Sequence, residues 1–263
     1  MINLGQYCQQ NTIDGHMHLF DDKGIIPYSK DVEYVGFCDV DPKEIDKYAD
    51  TMAYYEDFIN NHYTDKITLL AVSTSASNMI EIHKKWPKII KGFGEVKCYN
   101  HFNDVDNDVY YDLKLDRLSK YWELGKYADK NSLPIYIHYS LYNEDNVEKF
   151  SNFISRYPNT TFVLCHCGMD KETDNDFCYH NVMKLMKEHH NLWVDASWEA
   201  LDYFSNNPFK LTNMDRDRII FGSDMSRKSM LKPENLKKEW DKIHNLDSMV
   251  KSDRNIKKLF KNK

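Results

Sequence analysis

Two histidines separated by a single residue, His16 and His18, follow the apolar residue Ile13. In a β-strand successive side chains point to opposite faces, so both imidazoles would project from one face, together with Asp14. They would leave the strand about 6–7 Å apart, which lets both rings reach one cation. The pair therefore predicts a metal site at a strand end, although His-x-His alone is weak evidence.

Three further polar side chains stand directly after apolar runs: His138, His166 and Asp224. Zinc in proteins is bound by imidazole nitrogens and carboxylate oxygens as well as by thiolates. A (β/α)8 barrel brings the carboxyl ends of separate strands together at one face, which is where such enzymes bind and react. The spacing of these groups along the chain is typical of that architecture.

The order of the groups, a His-x-His pair, two strand-end histidines and then Gly222-Ser223-Asp224, resembles that of the amidohydrolase superfamily of metal-dependent hydrolases. More narrowly, it is similar to the amidohydrolase-related branch that includes aminocarboxymuconate semialdehyde decarboxylase. The resemblance runs from Asp14 to Asp224 and resumes at residues 255–260, which are similar to the closing helix of the family. It implies an α/β fold, a (β/α)8 TIM barrel forming one domain over residues 1–263, with Zn2+ as the first candidate for a divalent metal.

The resemblance also implies roles for individual residues. His16, His18 and His138 would be the histidine ligands of the metal. Asp224 would bind the metal as well and take a proton from the water that the metal activates. His166 is a ligand in two-metal relatives and a general acid/base in the single-metal branch. The second role is favoured here, because an imidazole titrates near neutral pH.

Glu95 leaves the number of metal ions open. In the TatD-type DNases, a related branch, a Glu in a Gly-Glu-Ile-Gly-type motif helps to hold a second metal. The run Gly94-Glu95-Val96-Lys97 resembles that motif in part, but the Gly-Leu-Asp that follows it is absent. Ser223-Asp224 also stands where the TatD-type proteins carry Thr-Asp. Lys97 would share a strand face with Glu95, and it would meet a substrate carboxylate or pair with Glu95.

Candidate substrate contacts lie on predicted loops at the same face of the barrel. They are Lys97, Tyr139, Trp198 and Arg227, with Lys228 and His101 beside them. Asp195 stands at another predicted strand end. It would either orient a metal-binding histidine or cap a loop, and the sequence does not choose between these roles.

A water activated by a metal predicts hydrolysis of an amide, ester or lactone bond in a small polar substrate. Three alternatives stay open. The resembled branch includes metal-dependent non-oxidative decarboxylases of unsaturated acids, and TatD-type relatives cleave phosphodiesters. A non-catalytic metal-binding barrel is the third, and the full ligand set with Asp224 and His166 argues against it.

Strand-like and helix-like segments alternate along the chain, which predicts a parallel sheet covered by helices. Strands are predicted at residues 12–18, 66–72, 88–96, 134–138, 160–166, 192–196 and 218–224. Helices are predicted at residues 41–60, 77–86, 113–130, 143–156, 177–189, 233–244 and 255–260. The first of these begins with the capping pattern Asp41-Pro42-Lys43-Glu44. A closed barrel needs an eighth strand, and it would lie at residues 33–37 or within 108–113.

Length and composition agree with one barrel of roughly 250 residues, since the chain has 263 residues of which 41% are hydrophobic. A net charge of −6, with both signs interspersed, argues against a nucleic-acid surface. No signal peptide is evident, and no apolar run approaches the ~18 residues of a membrane span. A small-molecule substrate in the cytoplasm is therefore expected, with a homo-oligomer as an option.

Six cysteines are spread along the chain without the spacing of a disulfide scaffold, which favours reduced thiols. Two of them, Cys165 and Cys167, flank His166. The alternation of a strand would turn both thiols away from His166 and toward the surrounding helices. Core thiols are therefore favoured over a zinc–thiolate site.

Overall fold

Eight parallel strands form the centre of the molecule. The structure is a computed structural model that describes residues 13–21, 24–25, 33–37, 51–73, 75–98, 101–103, 109–111, 117–171, 173–224 and 233–261. The strands lie side by side in chain order as β1 (Ile13–His18), β2 (Glu33–Phe37), β3 (Ile67–Ala71), β4 (Ile90–Lys97), β5 (Ile135–His138), β6 (Phe162–Leu164), β7 (Leu192–Ala196) and β8 (Ile219–Phe221). They form a nearly closed barrel with helices between the strands, which confirms the predicted (β/α)8 fold.

The helices of the described residues are α1 (Thr51–Asn61), α2 (Ala76–Lys85), α3 (Trp122–Asn131), α4 (Glu144–Ser155), α5 (Asn175–Glu188), α6 (Trp198–Asn206), α7 (Pro233–Val250) and α8 (Ser252–Phe260). The predicted helix start at residues 41–44 lies outside the described residues, and α6 was not predicted. Short 3-10 helices span Leu118–Tyr121, Cys165–Gly168, Pro208–Asn213 and Arg216–Arg218. Among the described residues, no helix has both the length and the apolar character needed to cross a membrane.

Capping residues explain where two of the helices begin. The Asn143 side chain accepts a hydrogen bond from the N–H of Asn146 at the start of α4. The Asp174 carboxylate accepts from the N–H groups of Asp176 and Phe177 at the start of α5. Such caps satisfy N–H groups that have no partner inside a helix.

The strand that the sequence analysis left open is β2. Its register pairs it with β1 on one side and with β3 on the other. The alternative segment contains the strand Val109–Tyr111, which pairs antiparallel with His101–Asn103 outside the barrel sheet. A second small antiparallel pair joins Phe20–Asp21 to Gly24–Ile25.

Two apolar layers follow from the alternation of side chains along the strands. On β5, Ile135 and Ile137 pack with the helices, whereas Tyr136 lies in the cluster along the barrel axis. Ile256 and Leu259 of α8 join this axial cluster. The closing helix is therefore a packing element.

The seam between β1 and β8 is bridged by hydrogen bonds that join Asp14 and His16 of β1 to the two residues Ser223 and Asp224 beyond β8. Within the described residues no strand ladder joins them. The N–H of Asp224 donates to the carbonyl of His16 at 2.9 Å, and the Asp14 carboxylate accepts hydrogen bonds from Ser223. Gly222 permits this close approach, since a Cβ added there would lie 2.3 Å from the Cβ of His16. These bonds hold the predicted site residues of both strands together.

A left-handed turn follows β6 and changes which side chains face the axis. The strand ends at Leu164, two residues before the predicted end, because His166 and Cys167 both have φ of 53°. Cys165 lies in the axial cluster, and only Cys167 packs toward the helices. The prediction that both thiols face the helices was thus wrong for Cys165. The turn, rather than strand alternation, directs His166 toward the axis.

Candidate metal centre

Three side chains from the two sides of the seam bring their polar atoms together. The Nε2 atoms of His16 and His18 are 3.3 Å apart. Oδ1 of Asp224 lies 3.0 Å from Nε2 of His18 and 3.3 Å from Nε2 of His16. Strand alternation had predicted that the two histidines share a face, and the bridged seam adds the carboxylate from the other end of the chain.

The dimensions of this triangle match those of a metal site. Zinc binds imidazole nitrogen and carboxylate oxygen at about 2.0–2.2 Å, so ligand atoms at neighbouring corners of a tetrahedron are about 3.3 Å apart. The three measured separations are close to that value. His16 and His18 are buried, whereas the Asp224 side chain keeps 18% of its surface exposed. A cation held here would thus have protein on one side and access to solvent on the other.

Glu95, at the end of β4, contacts polar groups on several neighbouring strands. Its Oε1 lies 2.5 Å from Nδ1 of His138 and 3.4 Å from Nε2 of His166. Its Oε2 lies 3.7 Å from Nε2 of His18 and 3.6 Å from Nζ of Lys97. The two oxygens of one buried carboxylate therefore face different histidines.

Glu95 consequently belongs to two groups that could each hold a cation. Possible ligand atoms of His16, His18 and Glu95 all lie within 4.8 Å of one another, and so do those of Glu95, His138 and His166. The structure thus places His138 with Glu95 and His166, whose ring centroid lies 4.6 Å from that of His138. Nitrogen and oxygen ligands in this mixture suit zinc and other first-row transition metals.

Both central carboxylates are ionised at neutral pH. Burial alone would raise the pKa of Asp224, but hydrogen bonds and charge from His16 and the neighbouring imidazoles hold it well below its ordinary value. Burial is outweighed in the same way at Glu95, where His138 and Lys97 keep the carboxyl pKa well below its usual range. Anionic carboxylates are the form that binds a cation.

The histidines respond to their own neighbours. Burial lowers the pKa of His138, and this effect outweighs the opposing charge of Glu95. At His16 burial acts in the same direction, but the adjacent Asp195 carboxylate prevails and raises the pKa well above its usual value. A cation at Nε2 of His16 would take the place of a proton there, because metal ligation requires the neutral ring.

A second layer of polar groups lies behind the histidines. Nδ1 of His16 is 2.5 Å from Oδ2 of Asp195. The hydroxyl of Ser197 donates to the same Oδ2 at 2.9 Å, and its oxygen lies 2.8 Å from Nδ1 of His166. Of the two roles predicted for Asp195, the contact with His16 matches the orientation of a histidine.

Three residues of the site hold a backbone conformation that side chains other than glycine rarely adopt. They are His166 (φ 53°), Trp198 (φ 49°) and Asp224 (φ 52°), and each follows a different barrel strand. A backbone in this left-handed region costs roughly 1 kcal/mol or more per residue. Such conformations are common at functional sites, which makes this end of the barrel the candidate site.

The candidate substrate contacts lie in different environments. The Trp198 ring meets His166 edge to face, with centroids 5.2 Å apart, and Lys97 lies beside Glu95. Tyr139 packs in the helix-facing core, where it stacks on Phe150 and accepts a hydrogen bond from Asn146. Residues 227 and 228 and the side chain of residue 101 lie outside the described part of the structure. Substrate contact by all of these residues stays a prediction.

Two residues of the site were missed by sequence reasoning. Ser197 was not singled out, and Ser223 was noted only as part of the run Gly222-Ser223-Asp224. Asp195 and Ser197 are two residues apart in an extended run, so strand periodicity places them on one face. That spacing was the available signal for Ser197, whereas the partner of Ser223 is 209 residues away in the sequence.

The family model described as Amidohydrolase matches residues 91–262. No protein of curated function matches the chain in sequence.

Solved structures share the whole barrel at low identity. A probable 2-pyrone-4,6-dicarboxylic acid hydrolase from Acinetobacter baumannii is 13% identical and has a TM-score of 0.58, covering 96% of this chain and 100% of the other. An amidohydrolase from Burkholderia multivorans with bound zinc is 13% identical, with a TM-score of 0.54 and coverage of 94% and 95%. A TatD homologue from Escherichia coli is 12% identical, with a TM-score of 0.56 and coverage of 95% and 98%. At these identities the similarity shows the fold.

Proposed function

Because the chain belongs to the amidohydrolase family, we propose that this enzyme uses a divalent cation to hydrolyse an amide, ester or lactone bond in a small polar substrate. The observation that carries the proposal is the triangle of His16, His18 and Asp224, whose atoms are separated by 3.0–3.3 Å. Three buried or partly buried polar groups at that spacing, without a compensating cation, would be a costly arrangement for a purely structural site.

We further propose two cations per chain, with Zn2+ as the first candidate. The first would be held by His16, His18 and Asp224, and the second by His138 and His166. The carboxylate of Glu95 would contribute to both, which is supported by its membership of both ligand groups. The zinc-bound amidohydrolase structure with the same fold supports the choice of metal by analogy alone.

When bound, such a cation lowers the pKa of water and polarises an oxygen of the substrate. Asp224 has the properties of the proton acceptor, since its carboxylate is ionised and its side chain is partly exposed. The role of His166 depends on the number of bound cations. With two it is a ligand through Nε2, and with one it moves a proton at that atom.

The substrate would enter past Trp198, whose ring forms a wall beside His166. Lys97 supplies a cationic group on the same side as Glu95 and would contact a substrate carboxylate, with Arg227 as a second candidate. A lactone or cyclic amide that carries a carboxylate is therefore the substrate class that we place first. The name of the dicarboxylic acid hydrolase with this fold agrees with that choice.

Phosphodiester cleavage is the second candidate. It is favoured by one observation, the contact of Glu95 with both His138 and His166. A pair of cations that share a carboxylate suits an in-line displacement at phosphorus.

The experiment begins with removal of metal by a chelator and elemental analysis of the purified protein. The protein is then reloaded with Zn2+ or Mn2+ and assayed on lactones, cyclic amides, esters and phosphodiesters, with carbon dioxide release measured in parallel. We expect two equivalents of metal per chain and hydrolysis that disappears with the metal and returns with it.

Other outcomes are equally informative. Carbon dioxide release from an unsaturated acid, without hydrolysis of any substrate class, would replace the proposal by a decarboxylase. Tight metal binding without turnover in any class would favour a non-catalytic barrel. One equivalent of metal with full activity would reject the two-cation site and leave His166 as the proton-transfer group.

A further inference from the structure

Ser197 stands at a position where its side chain would ordinarily cap a helix. It directly precedes α6, and serine is among the preferred residues there because its oxygen accepts a hydrogen bond from the first turn. In this structure the side chain makes no such bond and is fully buried. The helix forgoes its cap, and the hydroxyl is directed toward Asp195 and His166 instead.

The chemistry of these groups sets the direction of each hydrogen bond. A carboxylate oxygen can only accept, so the Ser197 hydroxyl gives its single hydrogen to Oδ2 of Asp195, 2.9 Å away. The lone pairs of the Ser197 oxygen are then what Nδ1 of His166 meets at 2.8 Å. His166 must therefore carry its hydrogen on Nδ1.

The same carboxylate oxygen imposes the same state on His16. Nδ1 of His16 lies 2.5 Å from Oδ2 of Asp195 and 3.5 Å from the Ser197 oxygen, so Nδ1 is the donor here as well. Possible metal-ligand atoms of His16, His166 and Asp195 also lie close together. The hydrogen bonds among these groups explain that closeness without a cation. Neither Nδ1 is available to a cation.

We infer that Asp195 and Ser197 form a shared anchor that keeps a hydrogen on Nδ1 of both His16 and His166, so that His166 is held in the Nδ1–H tautomer and Nε2 of each ring is the atom that faces the candidate metal centre. Nε2 of His16 faces Asp224 at 3.3 Å, and Nε2 of His166 faces Glu95 at 3.4 Å. In water the Nε2–H form of a neutral imidazole is favoured, so the anchor reverses the intrinsic preference. Asp195 and Ser197 are therefore positioning residues that act through the two histidines.

The use of those lone pairs for metal rests on the proposed function, but the tautomer does not. It is read in the metal-free protein by long-range 1H–15N correlation spectra of 15N-histidine-labelled chain, with the His166 signals assigned by their loss in His166→Asn. Spectra are taken at about pH 9, above the ordinary range of imidazole titration. Neither metal nor substrate is needed.

Four variants separate the anchor from general packing. Ser197→Ala removes the hydroxyl, Ser197→Thr keeps it, and Asp195→Asn replaces the obligate acceptor by an isosteric amide. Ser151→Ala is the matched control, because Ser151 makes a hydrogen bond of 2.7 Å to Nε2 of His189 away from the barrel mouth. Circular dichroism and urea unfolding verify that each variant is folded.

We expect an Nδ1–H signature for His166 in the natural protein, in Ser197→Thr and in Ser151→Ala. The signature should shift toward Nε2–H in Ser197→Ala and Asp195→Asn. Competition with a chelator should show about 10-fold or greater loss of zinc affinity in those two variants, the usual effect of removing such a partner. The control should change neither quantity.

An Nε2–H signature for His166 in the natural protein would overturn the inference, and so would an Nδ1–H signature that survives Ser197→Ala. If Ser197→Thr does not fold, Asp195→Asn carries the test. Failure of the proposed function has a different appearance, since the tautomer would follow the expected pattern while no substrate class is hydrolysed.

Discussion

The carboxylate of Asp14 accepts two hydrogen bonds from Ser223, one from the backbone N–H at 2.9 Å and one from the hydroxyl at 2.6 Å. Asp14 is the second residue of β1 and Ser223 follows β8, so the bonds join the two ends of the sheet. Both residues are buried, and each lies within two residues of a candidate metal ligand. Closure of the barrel and assembly of the metal centre therefore depend on the same contact.

Asp14→Ala should lower the free energy of unfolding by about 2–3 kcal/mol, because it removes the buried carboxylate that accepts two hydrogen bonds from Ser223. Ser223→Ala, which removes one of the two bonds, should cost less. Urea unfolding of the metal-free proteins measures both. The exposed Asp241→Ala is the control and should change stability by less than about 0.5 kcal/mol. Equal stability of Asp14→Ala and the natural protein would contradict the bridged seam.

Gly222→Ala should weaken metal binding although it alters no ligand. A Cβ at this position would lie 2.3 Å from the Cβ and 2.5 Å from the backbone nitrogen of His16, so β1 and β8 must separate. Calorimetric titration with zinc should show reduced affinity.

Gly125→Ala is the matched control for this change. Its Cβ would lie 2.5 Å from the Tyr157 ring, in the helix layer, and it should lower stability without changing zinc affinity. If the two glycine variants lose zinc affinity to the same extent, general destabilisation of the fold explains the loss at Gly222.

Glu95→Gln should reduce bound metal from two equivalents to one. The amide has the same shape, but it lacks the charge that faces His138 and His166 and is a poor ligand for zinc. Elemental analysis after dialysis measures the change. The exposed Glu123→Gln serves as control and should bind as much metal as the natural protein. Two retained equivalents in Glu95→Gln would show that the carboxylate does not hold a cation.

Asp224→Asn should reduce turnover by about 10²–10⁴-fold, the usual contribution of a general base, or more if the metal is lost as well. Steady-state rates and metal content are therefore measured on the same sample. Asp202→Asn, a change at an exposed carboxylate on α6, is the control. Substantial turnover in Asp224→Asn with its metal retained would remove Asp224 from the mechanism.

His83→Gln should make the protein less sensitive to acid. His83 is buried between α2 and the sheet and bonds Tyr127 at 3.0 Å, and burial together with the charge of Lys91 lowers its pKa. The unfolded chain then binds a proton more readily, so stability is fully present above about pH 6.5 and falls as the pH drops below it. Urea unfolding between about pH 7 and 5 should show a shallower decline in His83→Gln than in the exposed control His62→Gln. Parallel declines would contradict this assignment.

Local patterns in the sequence were sufficient to predict much of the barrel and the histidine pair. Periodicity predicted β1 with His16 and His18 on one face, and β7 was predicted with its observed bounds. The turn after β6 could not be predicted in this way, because a left-handed conformation at His166 has no residue signature comparable to glycine. Cys165 was misplaced for the same reason.

Contacts between distant residues were beyond local patterns. The bonds of Ser197 to His166 and of Ser223 to Asp14 span 31 and 209 residues, and nothing near each serine identifies its partner. The helix α6 was not predicted; in the structure its first residue, Trp198, has a positive φ and the serine before it makes no capping hydrogen bond. At Ser197 and Trp198, the local structure gives up helix stability while it brings side chains to the candidate site.

The positive φ angles at His166, Trp198 and Asp224 create a conflict between selection for stability and selection for the proposed function. Glycine would relieve each of the three conformations and gain about 1 kcal/mol at a time, against a total margin of only about 5–15 kcal/mol for a typical domain. Selection for heat tolerance would thus favour glycine at the positions where the proposed function uses an imidazole and a carboxylate and where an indole lies beside them. Thermostable versions of this enzyme should accordingly gain their stability far from the barrel mouth and keep these three residues unchanged.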